Sequence, residues 1–158
     1  MNIQWSNLQE PLPERMIQGA ELLFGITFPP DYRECLRVYH DASPHPSGFT
    51  VENSPLGPFG GSFGVLLSVH PFVSENIFTW VPSNSINAGQ HEEPMDFDWP
   101  ELVIPIIHDG GGNLVCLDYR EDPTLKNPVL AFWMHELEND GLFPLCSNFT
   151  DLLESLGK

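Results

Sequence analysis

Apolar residues recur at helical spacing near the beginning of the chain and again at its end. Across residues 14–24 they return every three or four positions, and Gly25 follows where a helix would stop. Pro30 suits a first helical position because its missing N–H is not needed there, so a second helix is predicted over residues 30–39. A last helix is predicted over residues 147–157, with a serine as its N-cap and a glycine at its end.

Between these helices, runs of β-branched and aromatic residues predict strands. A proline cannot donate a ladder hydrogen bond, so the strand that contains Pro105 should lie at a sheet edge or carry a bulge there. Residues 108–113 are rich in glycine and asparagine, which accept positive φ, and are predicted to form a hairpin turn. The predicted strands are residues 49–51, 63–69, 77–81, 102–107, 114–119 and 129–134. Helices, then strands, then a closing helix predict an α+β fold.

Two irregular stretches interrupt this pattern. Residues 40–62 contain 12 Gly, Pro or Ser among 23 positions, which is typical of loops and sheet edges. Residues 82–101 lack any regular period, and an irregular stretch of this length indicates a functional or disordered loop. No repeat and no second domain is evident, so we expect a single domain over residues 1–158 with its core in residues 14–156.

Charge narrows the range of functions. The 158 residues include 22 acids against six Lys and Arg, a formal net charge of −16. Phosphate backbones and anionic lipid surfaces would repel such a chain, which argues against nucleic-acid binding and membrane docking. The charge fits steered capture of a basic protein, and it also fits solubility alone.

The cysteines and the N-terminus bear on the compartment. Three cysteines among apolar neighbours, with no Cys-x-x-Cys pair, suggest small buried side chains in a reducing compartment. The first seven residues lack the basic and apolar regions of a signal peptide. We therefore expect a cytoplasmic protein.

The second irregular stretch is the candidate partner-binding region. It places five acids within ten residues and interleaves them with Phe97 and Trp99. In a binder of basic protein surfaces, carboxylates pair with Lys or Arg while an aromatic ring supplies buried area. A solvated loop whose aromatic residues fold back onto the sheet is the alternative. The candidate partner-binding residues are Glu92, Glu93, Asp96, Asp98, Trp99 and Glu101.

Catalytic and metal-binding interpretations find little support. Residues 60–64 fit the G-x-S-x-G pattern of serine hydrolases, with Ser62 as nucleophile, His135 as base and Asp118 to orient it. That pattern needs a strand before the serine and a helix after it, and a proline-rich loop and a strand flank it here. Residues 91–93 could bind a divalent cation as any dense acidic segment can, but no histidine spacing marks a metal site. We expect no enzyme, no cofactor and no metal.

The order of several motifs resembles the SUKH superfamily, specifically the domain of the Smi/Knr cell-wall-assembly-regulator type. Residues 20–32 are similar to that family's helix, glycine stop and second helix. Residues 104–106 and 114–118 are similar to its two strands around a glycine turn. Residues 128–136 and 147–153 resemble its final strand and closing helix.

The resemblance implies an α+β domain with a twisted, mostly antiparallel sheet of about five to six strands and helices packed against it. It also implies a non-enzymatic, protein-binding role. Many bacterial members are immunity proteins that neutralise toxins, often nucleases, whereas others are intracellular regulators or scaffolds. The leading hypothesis is an immunity protein that occludes a basic toxin domain, and the regulatory role is the alternative.

Overall fold

Four α-helices and nine β-strands make up the part of the chain that the computed structural model describes, residues 2–80 and 100–158 without the side chains of 138–140. A 3-10 helix, His135–Asp140, precedes the last strand. The elements are β1 (Gln4–Ser6), α1 (Glu14–Phe24), α2 (Pro30–Tyr39), β2 (Ser43–His45), β3 (Gly48–Val51), β4 (Phe59–Ser62), β5 (Val65–Leu66), α3 (Ile77–Trp80), β6 (Val103–His108), β7 (Leu114–Asp118), β8 (Val129–Trp133), β9 (Leu142–Cys146) and α4 (Phe149–Ser155).

A five-stranded antiparallel sheet in the order β5-β6-β7-β8-β9 is the centre of the fold. Two smaller antiparallel pairs, β1-β2 and β3-β4, accompany it. All five residues of the central strand β7 are buried, so both faces of the sheet are covered at that strand. The α+β prediction with a mostly antiparallel sheet is confirmed.

The helical predictions for α1 and α2 are confirmed at the residue where each begins. Gly25 has φ 70° and ends α1 in the left-handed conformation, and the N–H of Ile26 donates to the Glu21 carbonyl at 3.1 Å. Pro30 is the first residue of α2. Local signals that act within one turn were enough to place these ends.

Glu21 fixes the connection between α1 and α2. Its Oε2 accepts from the N–H of Phe28 at 2.8 Å, and its Oε1 accepts from Arg33 at 3.2 Å. Arg33 also pairs at 2.5 Å with Glu14, which lies about two turns before Glu21 on the same face of α1. The Glu21 side chain is only 15% exposed, so its charge-assisted hydrogen bonds are shielded from solvent. The Glu21 carboxylate therefore holds both the connection between the two helices and the first turn of α2 against α1.

The core lies between the helices and the sheet. Helix α1 contributes Ile17, and α2 contributes Tyr32 and Leu36, all without exposed surface. Aromatic rings pack edge to face across the elements: Tyr32 lies 5.4 Å from Phe149 of α4, between ring centroids. The other wholly buried large side chains include Phe28, Phe63, Phe132, Leu66, Leu67, Ile106 and Tyr119.

The strand predicted over residues 77–81 is wrong, because residues 77–80 form the short helix α3. Asn76 explains the difference: its Oδ1 accepts from the Thr79 N–H at 3.0 Å, which caps a helical turn. Its amide also donates to the Val73 carbonyl at 2.8 Å. Aromatic and β-branched content alone does not distinguish a buried strand from a buried helical turn.

Other strand predictions need smaller corrections. Of residues 63–69 only Val65–Leu66 is a strand, and the irregular stretch 40–62 contains the short strands β2, β3 and β4. Strand β9 was not predicted, since Pro144 interrupts its pattern. The bulge expected at Pro105 is confirmed, because the register between β6 and β7 shifts between Pro105 and Ile107.

The last helix begins later and ends earlier than predicted. Asn148, not Ser147, is its N-cap, and its Oδ1 accepts from the Asp151 N–H at 2.8 Å. Asp31 at the start of α2 reaches the same helix, where its Oδ2 accepts from the N–H of Thr150 at 3.0 Å and from its hydroxyl at 2.8 Å. An acid in the first turn of α2 thus ties α2 to α4.

Two buried tyrosines make a matched test of the value of one hydrogen bond. Tyr119 donates its hydroxyl to the Thr27 carbonyl at 2.7 Å, whereas the Tyr32 hydroxyl meets no partner within the described residues. We expect Tyr119→Phe to lower the free energy of unfolding by about 1 kcal/mol. Tyr32→Phe should leave the free energy of unfolding unchanged or raise it, because the buried hydroxyl loses its hydration and gains no hydrogen bond in exchange. Urea unfolding of both variants checks this, and equal losses would contradict it.

Candidate partner-binding surface

Most of the predicted partner-binding residues lie outside the described part of the chain. These are Glu92, Glu93, Asp96, Asp98 and Trp99, together with Phe97. Glu101 is described: it is exposed and lies two residues before β6 begins. Leu102 between them has φ 65°. The grouping of the six residues therefore stays a prediction.

The two ends of the five-stranded sheet present different surfaces. At one end His108 pairs with both Val65 and Leu114, and Trp133 pairs with Leu142. We call this the hairpin end, which comprises residues 64–65, 75–80, 108–114 and 133–142. The other end, which we call the loop end, comprises residues 101–103 and 118–129. Glu101 belongs to the loop end.

Asp109 holds the turn at the hairpin end in one conformation. Its Oδ1 accepts from the N–H of Gly111 at 2.6 Å and from that of Asn113 at 3.0 Å. Its own N–H donates to the Asn113 carbonyl at 3.1 Å. The hairpin turn predicted over residues 108–113 is confirmed, and its rigidity comes from a carboxylate within the turn.

Asn113 joins this turn to the 3-10 helix. Its Oδ1 accepts from the His135 N–H at 3.1 Å and lies 2.7 Å from His135 Nδ1. Gly112, at φ 100°, passes directly beneath the imidazole, where a Cβ would lie 3.0 Å from Nδ1. The histidine ring is therefore held between an amide and a backbone that only glycine fits.

A second histidine lies beside a tryptophan at the same end. The ring centroids of His108 and Trp80 are 4.4 Å apart, and His108 Nδ1 lies 3.7 Å from Glu75 Oε2. Gly64 packs against the carbonyl of His108, where a Cβ would lie 2.5 Å from the oxygen. Three separate segments therefore meet at His108.

The hairpin end carries acids and no Lys or Arg within its residues. Its acids in the sequence are Glu75, Asp109, Glu136, Glu138 and Asp140. The loop end mixes both signs, since Arg120 and Lys126 accompany its acids. Of these two ends, the hairpin end is the one that offers a basic partner acids without cations.

Two acids of the loop end, Asp118 and Asp122, are engaged in local structure. Asp118 pairs with Arg120 at 2.9 Å. Asp122 accepts from the N–H groups of Thr124, Lys126 and Asn127 and from the Thr124 hydroxyl. These hydrogen bonds, led by that hydroxyl, lower the pKa of Asp122 to about 2. The carboxylate thereby organises the loop between β7 and β8.

The structure does not assemble the hydrolase triad suggested by Ser62, His135 and Asp118. Ser62 is the exposed last residue of β4, opposite Gly48, and no helix follows it. His135 contacts Asn113 before β7 begins, whereas Asp118 ends that strand, roughly 16 Å from Asn113 at about 3.3 Å per residue. Within the described residues no hydrogen bond joins Ser62, His135 and Asp118 to one another, so the suggested triad is not assembled there.

Within the described residues, no group of three or more His, Cys, Asp or Glu side chains could hold a metal ion.

Burial raises the pKa of Cys35 to about 12 and that of Cys146 to about 11, and it raises the pKa of Cys116 well above its ordinary value. These shifts favour the protonated thiol over the reactive thiolate at neutral pH. No described helix is long and apolar enough to cross a bilayer.

Comparison with known proteins identifies the family. The profile of the SMI1/KNR4 family (SUKH-1) matches residues 11–155. The chain belongs to that family. No curated protein matches the sequence. The SUKH-1 match spans α1 to α4, so it covers all four helices, the five-stranded sheet and both of its ends.

Sequence reasoning missed the residues that shape the hairpin end of this SUKH-1 domain. Trp80 and His108 are 28 positions apart in the sequence, and Asn113 and His135 are 22 apart. No local pattern links such positions, because their contacts depend on strand pairing. The glycines of residues 110–112 were the only signal, and they indicated a turn without indicating what packs on it.

Substituting alanine at either of two glycines of this turn tests how closely the turn packs on His135. Gly110 and Gly112 both have φ near +90° to +100°, but a Cβ meets nothing at Gly110 and meets the His135 ring at Gly112. Gly110→Ala should cost roughly 1–2 kcal/mol of stability from backbone strain alone, and Gly112→Ala should cost more. Adding His135→Ala should restore part of the Gly112→Ala loss, measured by a double-mutant cycle in urea. No restoration would contradict the packing described here.

Acid should remove the stabilising role of Asp122. Because its folded pKa lies below the ordinary 3.8, its contribution is present above pH 3.8 and is lost as the pH falls towards 2. Thermal unfolding of Asp122→Asn should therefore show a lower Tm than wild type at pH 6, with the difference shrinking at pH 2.5. Glu121→Gln, an exposed neighbour, is the control for charge removal. A difference independent of pH would contradict this.

Proposed function

We propose that this chain is an immunity protein that binds a cognate toxin and occludes its active surface. Family membership over residues 11–155 is the observation that carries the proposal, since it fits a protein-binding, immunity-type module. The charge supports a basic partner, and a nuclease toxin is the natural candidate, because such an enzyme must present a positive groove to its phosphate substrate.

The distribution of positive charge also supports a basic partner. At least three of the six basic residues are paired within the protein: Arg33 with Glu14 and Glu21, Arg37 with Glu34, and Arg120 with Asp118. The 22 acids outnumber the six Lys and Arg, and nine of the 16 acids whose side chains the structure describes are exposed. They are available to attract a positively charged partner before contact.

We place the capture surface on residues 92–101, with Trp99 and Phe97 as apolar anchors and Glu101 at its described end. Carboxylates in such a surface pair with Lys or Arg of the partner, and the rings supply buried area. The hairpin end, with Asp109 and Glu136 and without cations, offers a second negative region on a rigid turn.

The first test is protection. The genes beside this chain's own are searched for a toxin domain, that domain is expressed with and without the chain, and survival is measured; the lack of any such domain counts against immunity. Survival only in the presence of the chain supports immunity. If the chain binds a cellular protein and protects against no neighbouring toxin, the regulatory or scaffold role replaces it.

The second test is the association rate with that toxin at about 20 mM salt. Neutralising Glu92, Glu93, Asp96, Asp98 and Glu101 to their amides should lower the rate constant at least about tenfold, because steering depends on local charge. The matched control neutralises five exposed acids elsewhere: Glu10, Glu52, Glu121, Asp151 and Glu154. Equal rates for the two variants would remove residues 92–101 as the capture surface. The difference should shrink at about 0.5 M salt, where screening is strong.

A further inference from the structure

The outer edge of β4 carries backbone groups that no described residue binds. Strand β4 pairs with β3 on its other side, and the Phe63 N–H continues this pairing by donating to the Ser47 carbonyl at 2.8 Å. Backbone groups of successive residues in an antiparallel strand point alternately towards the partner strand and away from it. Since Phe63 points towards β3, Gly61 does as well. Gly60 and Ser62 therefore direct their N–H and C=O groups away from β3, and we call these four groups the open edge of β4.

The end of the chain provides an independent check of this alternation. In β3, Gly48 lies opposite Ser62, so its backbone groups should also point out of the strand pair. The Gly48 carbonyl does accept a hydrogen bond from outside the pair, from the N–H of Gly157 at 2.8 Å. The outer edge of β3 is thus bound by the chain itself, whereas that of β4 is open within the described residues.

Two further strand edges are closed. In β5, the Leu66 N–H donates to the Ala42 carbonyl at 2.9 Å, and the Leu66 carbonyl accepts from Asp41 at 2.7 Å. In β9, Pro144 has no N–H, and its carbonyl accepts from the Asn53 amide at 3.2 Å. Proteins commonly protect sheet edges in such ways, because unpaired backbone groups bind other strands. The open edge of β4 lacks this protection.

No side chain of β4 obstructs its open edge. Gly60 and Ser62 are both exposed, and a Cβ built on Gly60 would meet nothing within 4 Å. Residues 53–74 contain no Asp, Glu, Lys or Arg, so the edge also lacks the charged side chains that commonly prevent strand pairing. Another backbone can therefore approach it closely.

The chemistry of the open edge selects its occupant. Alternating N–H and C=O groups are satisfied together by an extended polypeptide, which offers both groups at the matching spacing. Net charge then favours one source of that polypeptide. Two copies of this chain carry −16 each and repel one another, whereas a basic protein is attracted. An extended segment of a basic partner is therefore favoured over a second copy.

We infer that the cognate toxin adds a β-strand to the open edge of β4 and so extends the β3-β4 pair to three strands. This inference rests on the proposed function and names a contact of that complex. The acids of the surface attract the toxin at long range and raise the rate of association. Hydrogen bonds to the backbone of Gly60 and Ser62 then lengthen the lifetime of the complex.

Amide hydrogen exchange, followed by NMR on the full chain, tests this with the toxin domain found beside the chain's gene. In the free protein the amides of Gly60 and Ser62 should exchange quickly, while that of Gly61, which faces β3, should exchange slowly. In the complex the exchange of Gly60 and Ser62 should slow at least about tenfold, because their N–H groups become hydrogen-bonded. The Gly61 amide is the internal control and should change little.

A proline substitution provides a second readout. Ser62→Pro removes an N–H that points away from β3, and proline is tolerated in such a position of an edge strand. The dissociation rate of the complex should rise about tenfold, since one hydrogen bond to the toxin is lost. Ser147→Pro, at an exposed serine outside β4 that also follows a strand residue, is the matched control and should leave the rate unchanged. Urea unfolding of both variants checks that they fold.

The outcomes separate this inference from the proposed function. A complex in which Gly60 and Ser62 stay unprotected, or one whose dissociation rate Ser62→Pro leaves unchanged, would overturn the inference and leave the immunity role standing. Protection that appears in the free chain as its concentration rises would identify a second copy as the occupant, and would overturn the inference too. The absence of any complex would overturn the proposed function and the inference together.

Discussion

The scarcity of positive charge is the constraint on which the structure and its proposed function depend. Arg33 holds Glu14 and Glu21 and so fixes α1 against α2, while Arg120 pairs with Asp118 at the end of the central strand. Cations used in this way cannot neutralise the acids of the surface. Besides its apolar core, the fold is therefore held by carboxylates bound to backbone N–H groups, and the remaining acids are not neutralised by the protein's own cations.

Carboxylates that accept hydrogen bonds from backbone N–H groups stabilise several turns and connections of this fold. Glu21 binds the N–H of Phe28, Asp31 binds that of Thr150, and Asp109 and Asp122 each close a turn from within. Each of these contacts sets a negative charge against a backbone dipole, and only the Glu21 carboxylate among them is also bound by an arginine. An acidic protein can thus be well ordered, since its charges are partly satisfied by its own amides.

The sequence predicted those parts of the fold that local chemistry decides. Gly25 ended α1 and Pro30 began α2 because left-handed φ and a missing N–H act within one turn. Strand β1 was missed because three residues carry no periodicity, and Trp5 is held by stacking on Tyr39 at 4.5 Å, a contact 34 positions away. Residues 77–80 were misjudged because the Asn76 cap outweighed strand propensity. For the candidate site, the acidic composition could be predicted from the sequence. The contacts of His108 with Trp80 and of His135 with Asn113 could not, because they depend on which strands pair.

A net charge of −16 describes the molecule only at distances beyond the screening length. At physiological ionic strength that length is about 8 Å, so a docking partner responds to the charge of the face it approaches. Residues 14–39, which form α1 and α2, carry a net charge of −1, whereas the hairpin end carries acids without Lys or Arg. The salt dependence of a contact therefore depends on which part of the surface makes it. Local charge, set by where three arginines fall on α1 and α2, distinguishes these two regions.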